Sequence, residues 1–302
     1  MDLISIRRKY NNIRNIIIIS FILVVCAILA LIVKEINKNK AEENVFLSYS
    51  ELKKIVAQKE EEIQKQKEEQ QKIEEENRKN NLPQLTEEGK NNVAKIYKSD
   101  TKRVFLTFDD GPSSTVTPKI LDVLKAENIK ATFFLLGSRV ELNPEIVKRE
   151  YEEGHYIASH GYSHVYSQIY SSPQSVLDEY NNCVRAIQNA IGVPDYNPHL
   201  FRFPGGFKGG KYDKIKSQAH DLLEQNNIAH VDWNALTSDS AGAKTTEQFI
   251  AELEKTVPKY NSVVVLMHDA GNKQATAEAL PTIISYFRER GYEFKSFYDI
   301  IK

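Results

Sequence analysis

Cysteine is nearly absent: Cys26 and Cys183 are the only two in 302 residues. Two thiols cannot build a disulfide scaffold, and these two sit in contexts so different that pairing is not expected. An excess of charge of either sign is also missing, with 40 Lys plus Arg against 41 Asp plus Glu and a formal net charge of −1. A chain so balanced has no cationic surplus to hold a phosphate backbone, which argues against nucleic acid as a partner. No internal repeat is visible, and residues 41–80 contain neither Gly nor Pro. The length allows one large domain or two ordinary ones, at roughly 100 to 200 residues each.

One long apolar run stands out, residues 16–33, IIIISFILVVCAILALIV, with no charge and only Ser20 clearly polar. A helix of that length rises about 27 Å, close to the roughly 30 Å of a hydrocarbon core. A transmembrane helix is therefore expected over 16–33, after a cytoplasmic N-terminus at 1–15. A cleaved signal peptide competes, but it calls for about 7 to 15 apolar residues and a small-residue cleavage site, whereas Lys34, Glu35 and Ile36 follow directly here. Val25 before Cys26, with further apolar residues after it, speaks against lipid attachment. Arg7, Arg8, Lys9 and Arg14 on one flank, against Lys34, Lys38 and Lys40 on the other, lean toward an inside N-terminus. The expected localisation is thus the cell membrane, single-pass, with the membrane as a partner and the C-terminal domain extracytoplasmic.

Residues 34–82 read as a charged helical stalk. Leu52, Val56 and Ile63 begin a heptad seam that lapses before Ile73, so reach, about 60 Å for forty helical residues, is a better role than dimerisation. An oligomer through the stalk is left without support. From 83 to 302 the composition is that of a globular domain. Short apolar runs at 103–108, 131–136, 156–159, 200–203, 228–233 and 262–267 read as strands. Amphipathic stretches near 117–128, 144–153, 173–191, 211–226, 246–257 and 276–290 lie between or after them. Alternation of this kind predicts a parallel sheet covered by helices.

Placed on that pattern, the ionisable residues gather at the C-terminal ends of strands. Asp109 and Asp110 follow the first, His160 and His164 the third, Arg202 ends the fourth, Asp232 the fifth, and His268 with Asp269 follows the sixth. In a (β/α) barrel those ends share the face where active sites are built; a doubly wound sheet would gather them at one edge as well. TFDDGP, 107–112, sets two carboxylates beside a turn. His160 and His164 are four apart, so a helical turn would put both imidazoles on one face; with a carboxylate they suit zinc or a similar divalent ion. His155 is the candidate for a purely structural histidine. Arg202, in FRFPGG, offers a planar fork for a carboxylate, and Gly205 and Gly206 permit close backbone approach by an oxyanion. His268, in VVVLMHD, suits general acid work. Each motif alone has a bland reading as a cap, turn or satisfied core group.

In this order, the set resembles the NodB-like polysaccharide deacetylases, carbohydrate esterase family four, over residues 102–300. The resemblance implies a distorted (β/α) barrel and metal-dependent hydrolysis of an acetyl group on a sugar polymer. It implies that Asp110, His160 and His164 hold the metal, that Asp109 is the general base, and that the Gly205 N–H helps hold the oxyanion. His268 would protonate the departing amine, Leu266 would line the acetyl pocket and Arg202 would orient Asp109. The implied cofactor is one divalent ion, zinc first, with cobalt or manganese as alternatives.

Two departures accompany it. Gly161 stands where the family has Ser or Thr, and the D-x-x-D-W motif aligns with Leu236, Asp239 and Ser240. Asp239 is then expected to pair with Arg202, with Trp233 as substitute for the missing aromatic groove wall. The expected substrate is N-acetylglucosamine of peptidoglycan. Muramic acid, poly-N-acetylglucosamine, chitin oligomers, acetylated xylan, or a catalytically silent wall-binding role stay open as alternatives.

Overall fold

The computed structural model describes residues 53–65, 68 and 82–301. The chain divides into two units, Met1–Glu75 and Glu76–Lys302. In the first, residues 53–65 are helical and exposed along their whole length, with ion pairs such as Lys65–Glu61 at 2.8 Å on the surface. The expected cytoplasmic segment 1–15 and membrane span 16–33 lie outside the described residues. Among those described, no helix is long and apolar enough to cross a membrane; the helix at 53–65 is charged and solvated, the opposite of a lipid-facing surface. The architecture is corrected accordingly to a parallel α/β fold, with no membrane-crossing helix among the described residues. The membrane as partner and the single-pass localisation are withdrawn with it.

The second unit carries β1 (Arg103–Asp109), β2 (Thr132–Leu135), β3 (Tyr156–Ser159), β4 (Leu200–Phe201), β5 (Ala229–His230), β6 (Ala235–Leu236), β7 (Ser262–His268) and β8 (Glu293–Lys295). Its helices are α1 (Glu87–Ala94), α2 (Thr117–Ala126), α3 (Gly137–Leu142), α4 (Pro144–Glu152), α5 (Tyr166–Ile169), α6 (Pro173–Ile191), α7 (Asp213–Gln225), α8 (Thr246–Thr256) and α9 (Gln274–Glu289). RVFLTFD and SVVVLMH are rich in β-branched and large apolar residues and are buried nearly throughout, as strands covered on both faces must be. All ladders are parallel, in the order β5-β4-β3-β2-β1-β7-β6. β8 pairs with the first three residues of β1, while β2 pairs with its last three.

The expected barrel does not close. β5 and β6 are the two ends of the path, although only residues 231–234 separate them in sequence. A parallel pair needs a crossover of roughly a dozen residues or more, so these strands cannot be neighbours, and the result is a distorted half-barrel. Residues 231–234 carry Asp232 and Trp233. The expected strand at 228–233 is shortened for the same reason, and the short β6 and β8 lacked any apolar run long enough to read in the sequence.

Alternation along β1 sorts its side chains between layers. Val104, Leu106 and Phe108 pack outward against Ile120, Leu121 and Ile284 of α2 and α9. Phe105 packs inward with Phe134, Tyr156, Val264 and Phe297. Asp109 shares that inner phase, so the strand itself aims the carboxylate into the half-barrel. Helix α6 is bounded as its sequence dictates: the Ser172 side chain accepts the Ser175 N–H, Pro173 opens the first turn, and Gly192 closes the helix at φ +69°.

Candidate active site and metal centre

β1 and β7 are in register to their last residues, pairing Asp109 with His268. Asp109 is 2 % exposed. Arg202, fully buried just beyond β4, donates to Asp109 Oδ1 at 2.8 Å, Thr107 Oγ1 at 2.7 Å, and the carbonyls of Val231 and Asp232 at 3.2 and 3.0 Å. Its guanidinium lies 3.9 Å from the centre of the Phe134 ring. Burial pushes the Asp109 carboxyl above its ordinary value, the Arg202 and His268 charges pull it back, and the net direction is upward.

Asp110, His160 and His164 bring one ligand atom each to within 4.8 Å of one another. Asp110 Oδ1 is 3.6 Å from His160 Nε2 and 3.3 Å from His164 Nε2. That oxygen is buried and has no hydrogen-bond partner among the described residues. His160 Nδ1 contacts the Arg202 carbonyl at 2.8 Å; a carbonyl only accepts, so Nδ1 carries the hydrogen and Nε2 presents its lone pair. Burial lowers His160 to about 3, which keeps the imidazole neutral and able to ligate. Two imidazoles and an orphaned carboxylate oxygen fit a divalent cation, so these three form a divalent-metal triad.

The histidines do not sit on a helical turn as expected. Residues 160–165 form a loop, with His164 at φ +56° and Asp110 at φ +72°. Left-handed backbone at two non-glycine ligands is the kind of local strain found at functional sites. Glu179 of α6 holds the loop: its carboxylate accepts the N–H groups of Tyr162 and Ser163 at 2.5 and 2.7 Å and the Ser163 hydroxyl at 2.7 Å. Gly161, at φ +87°, donates its N–H to Ser159 Oγ at 3.2 Å. The Ser or Thr missing at 161 is thus answered by Glu179 and Ser159.

The expected pairing of Asp239 with Arg202 is not made. Asp239 follows β6, which lies against β7, so its carboxylate reaches His268: Oδ1 is 2.8 Å from Nδ1 and Oδ2 accepts the His268 N–H at 2.8 Å. Thr276 Oγ1 donates to Oδ2 at 2.9 Å. Burial alone would lower His268, but the Asp239 hydrogen bond and charge override it, and the imidazole is raised above its usual value. Arg202 faces Asp109 from the opposite side.

A cavity of about 280 Å³ gathers Asp109, Asp110, His160, His164, Gly205 and His268, with Leu266, Trp233, Tyr166 and Ser240 in its walls. A larger cleft of about 870 Å³ adjoins it through Asp110 and His164. Trp233 and Ser240 both line the smaller cavity. Gly205, at φ +76°, would bring a Cβ to 2.6 Å from the Tyr166 hydroxyl. Asp232 accepts the Phe207 N–H at 3.0 Å and so anchors the glycine turn.

His155 is structural, as expected. It is buried, and its Nδ1 accepts the Ala131 N–H at 3.1 Å. Cys183 is buried and free, with its thiol pushed up to about 12 by burial. Tyr166 and Glu179 were not legible as site residues; a carboxylate beside the apolar stripe of α6 was the one available signal for Glu179.

Residues 97–224 match the family described as polysaccharide deacetylase. The chain is 36% identical over 207 residues to a peptidoglycan-N-acetylglucosamine deacetylase of Listeria monocytogenes, a match covering 67% of this chain and 40% of that protein; it thus spans well under half of that relative's length. Among solved structures it is similar to a Streptococcus mutans CE4 esterase (TM-score 0.62, 32% identity, 68% of this chain and 90% of that one). The catalytic domain of a peptidoglycan N-acetylglucosamine deacetylase from Eubacterium rectale matches with TM-score 0.60 and 31% identity, over 66% and 90% of the two chains. With relatives above 30% identity matched over nine-tenths of their length and the motif residues meeting in one cavity, this chain belongs to the NodB-like polysaccharide deacetylases, carbohydrate esterase family four.

Proposed function

We propose that the protein removes N-acetyl groups from a cell-wall glycan by metal-dependent hydrolysis, acting on N-acetylglucosamine of peptidoglycan and releasing acetate. The observation that carries this reading is the meeting of a metal triad, a separate buried carboxylate and a carboxylate-paired histidine in one cavity of about 280 Å³. Zinc is the ion proposed, with cobalt or manganese suited to the same donors. When bound by Asp110, His160 and His164, the ion would polarise the acetyl carbonyl and acidify a water molecule.

The remaining steps belong to the chain's own groups. Arg202 occupies Asp109 Oδ1, leaving Oδ2 to take a proton from the attacking water. A carboxyl raised by burial is a stronger base than an ordinary one, and the Arg202 charge favours its ionised form and fixes it in place. As the water oxygen bonds to the acetyl carbon, the carbonyl oxygen gains charge. Gly205 lines the cavity and its N–H has no hydrogen-bond partner among the described residues, so that N–H is available to donate to that oxygen.

His268 uses Nδ1 on Asp239, which leaves Nε2 for the leaving nitrogen. Its raised affinity for a proton favours the charged form, which protonates the amine as the carbon–nitrogen bond breaks. Leu266 would line the acetyl pocket and Trp233 the aromatic side of the groove, and the adjoining cleft of about 870 Å³ has room for neighbouring sugars. The test is product mapping. The full chain, loaded with zinc and incubated with intact peptidoglycan, is expected to release acetate and yield glucosamine-containing fragments; no acetate from any acetylated glycan, with metal bound, would overturn the proposal.

A further inference from the structure

The turn that presents Asp109 and Asp110 is held from behind by a residue for which the chemistry above has no use. Asp269 follows His268 at the end of β7 and is fully buried. Its N–H donates to the Asp109 carbonyl at 3.1 Å. Its own carbonyl accepts the Ser113 hydroxyl at 2.7 Å. Its Oδ2 accepts the Thr117 hydroxyl at 2.5 Å, and Thr117 Oγ1 in turn accepts the Ser113 N–H at 2.8 Å. One residue therefore touches both ends of the Asp109–Ser113 segment and, through Thr117, the first turn of α2.

Gly111 shows how closely the two are fitted. Its φ is not in the left-handed region, so backbone freedom does not demand glycine there. The demand comes from Asp269: a Cβ at 111 would lie 2.1 Å from Oδ2 and 2.4 Å from Cγ and Oδ1. The backbone beside the metal ligand is pressed flat on this carboxyl. Immediately before it, Asp110 stands at φ +72°, a left-handed conformation that strains a non-glycine residue. It persists only where neighbouring contacts over-determine it. On the other side the turn is tied by the Leu136 N–H to the Gly111 carbonyl at 3.0 Å and by Asn143 Nδ2 to the Pro112 carbonyl at 3.2 Å.

We propose that Asp269 is a positioning residue: its carboxyl, through Thr117 and by packing on Gly111, clamps the turn so that Asp110 points at His160 and His164 while Asp109 points at Arg202. Burial raises the Asp269 carboxyl to about 7, against the Thr117 hydrogen bond, with Asp110 and Asp109 adding to the rise. Asp269 Oδ1 and both oxygens of the buried Glu150 lack hydrogen-bond partners among the described residues.

The inference rests on the proposed reaction, so its test reads metal binding as well as turnover. Wild type, Asp269→Ala and Thr117→Val full chains are compared for thermal unfolding, for zinc affinity by competition with a chromophoric chelator, for the visible absorption of the cobalt-loaded protein, and for kcat and KM. Folded variants are expected to bind zinc about tenfold more weakly, to show an altered cobalt spectrum, and to lose at least tenfold in kcat with KM changed less than threefold. Thr117→Val keeps the carboxyl and removes only its relay, so it carries the test alone if Asp269→Ala fails to fold. Zinc affinity, cobalt spectrum and kcat all within twofold of wild type in a folded variant would overturn the clamp. Absence of acetate release from wild type itself would instead count against the reaction, and the metal measurements would still decide the role of Asp269.

Discussion

Replacing Arg202 with Met is the perturbation whose consequences the structure specifies most fully. The guanidinium and the Asp109 carboxylate are both sealed from solvent, with side-chain exposures of 0% and 2% and a contact of 2.8 Å, so solvent screening does little to weaken the pair. Met fills similar space against Phe134 but leaves Asp109 buried without its cation. Removing one partner of such a pair costs about 3 to 5 kcal/mol. At roughly 2 to 4 °C per kcal/mol for a domain of this size, the melting temperature should fall by about 6 to 20 °C.

The same change alters titration. Burial already raises Asp109 and Arg202 opposes that rise; without Arg202 the carboxyl must climb further. The base works only when ionised, so the acid limb of the pH–rate profile should move to higher pH. A cycle with Asp109→Asn separates the pair from general packing damage. The double variant buries no isolated charge and should be about 2 to 3 kcal/mol more stable than the sum of the single losses predicts. Thermal unfolding followed by circular dichroism supplies all four stabilities. A loss below about 1 kcal/mol for Arg202→Met, or an additive cycle, would refute the assignment of Arg202 as the charge that holds Asp109.

Other expectations follow from the same geometry. Asp239→Asn removes the largest of the influences that raise His268, leaving the smaller charges of Asp109 and Asp110 against burial; the alkaline limb should shift toward lower pH and kcat should fall by roughly 10²-fold or more, as a pH–rate profile would show. Glu179→Gln cannot accept three hydrogen bonds as a carboxylate does; weaker zinc binding through a loosened His164 loop is expected in a chelator competition, with the unfolding free energy lowered by about 1 to 3 kcal/mol. Gly205→Ala places a Cβ 2.6 Å from the Tyr166 hydroxyl at φ +76°, so kcat should drop while zinc affinity stays at the wild-type value.

The sequence was legible where one strand dictates one face. In β1, alternation sends Asp109 inward, and the same register brings His268 beside it, so the gathering of the ionisable residues could be read from strand ends, while their roles were implied only by the family resemblance. What it could not show were contacts made across the turns. Asp239 was expected on Arg202 because spacing says nothing about which side of β7 a loop returns to; the pairing of Leu236 with Leu266 decides that it meets His268. Glu179 sits on a helix that also packs into the core, and its grip on two backbone N–H groups depends on how α6 lies over the 160–165 loop. Closure failed for a chain-length reason, since 231–234 is too short to return as a parallel neighbour. The apolar run at 16–33 matched the length of a membrane span but lies outside the described residues, among which no helix is long and apolar enough to cross a membrane.

The most direct test of the central claim, a metal triad served by a separate base, is a paired measurement on Asp109→Asn. The variant keeps Asp110, His160 and His164, so zinc should bind with an affinity within about threefold of wild type, while acetate release from peptidoglycan should fall by roughly 10²- to 10⁴-fold. Equal rates of acetate release from the zinc-loaded variant and wild type would contradict the account.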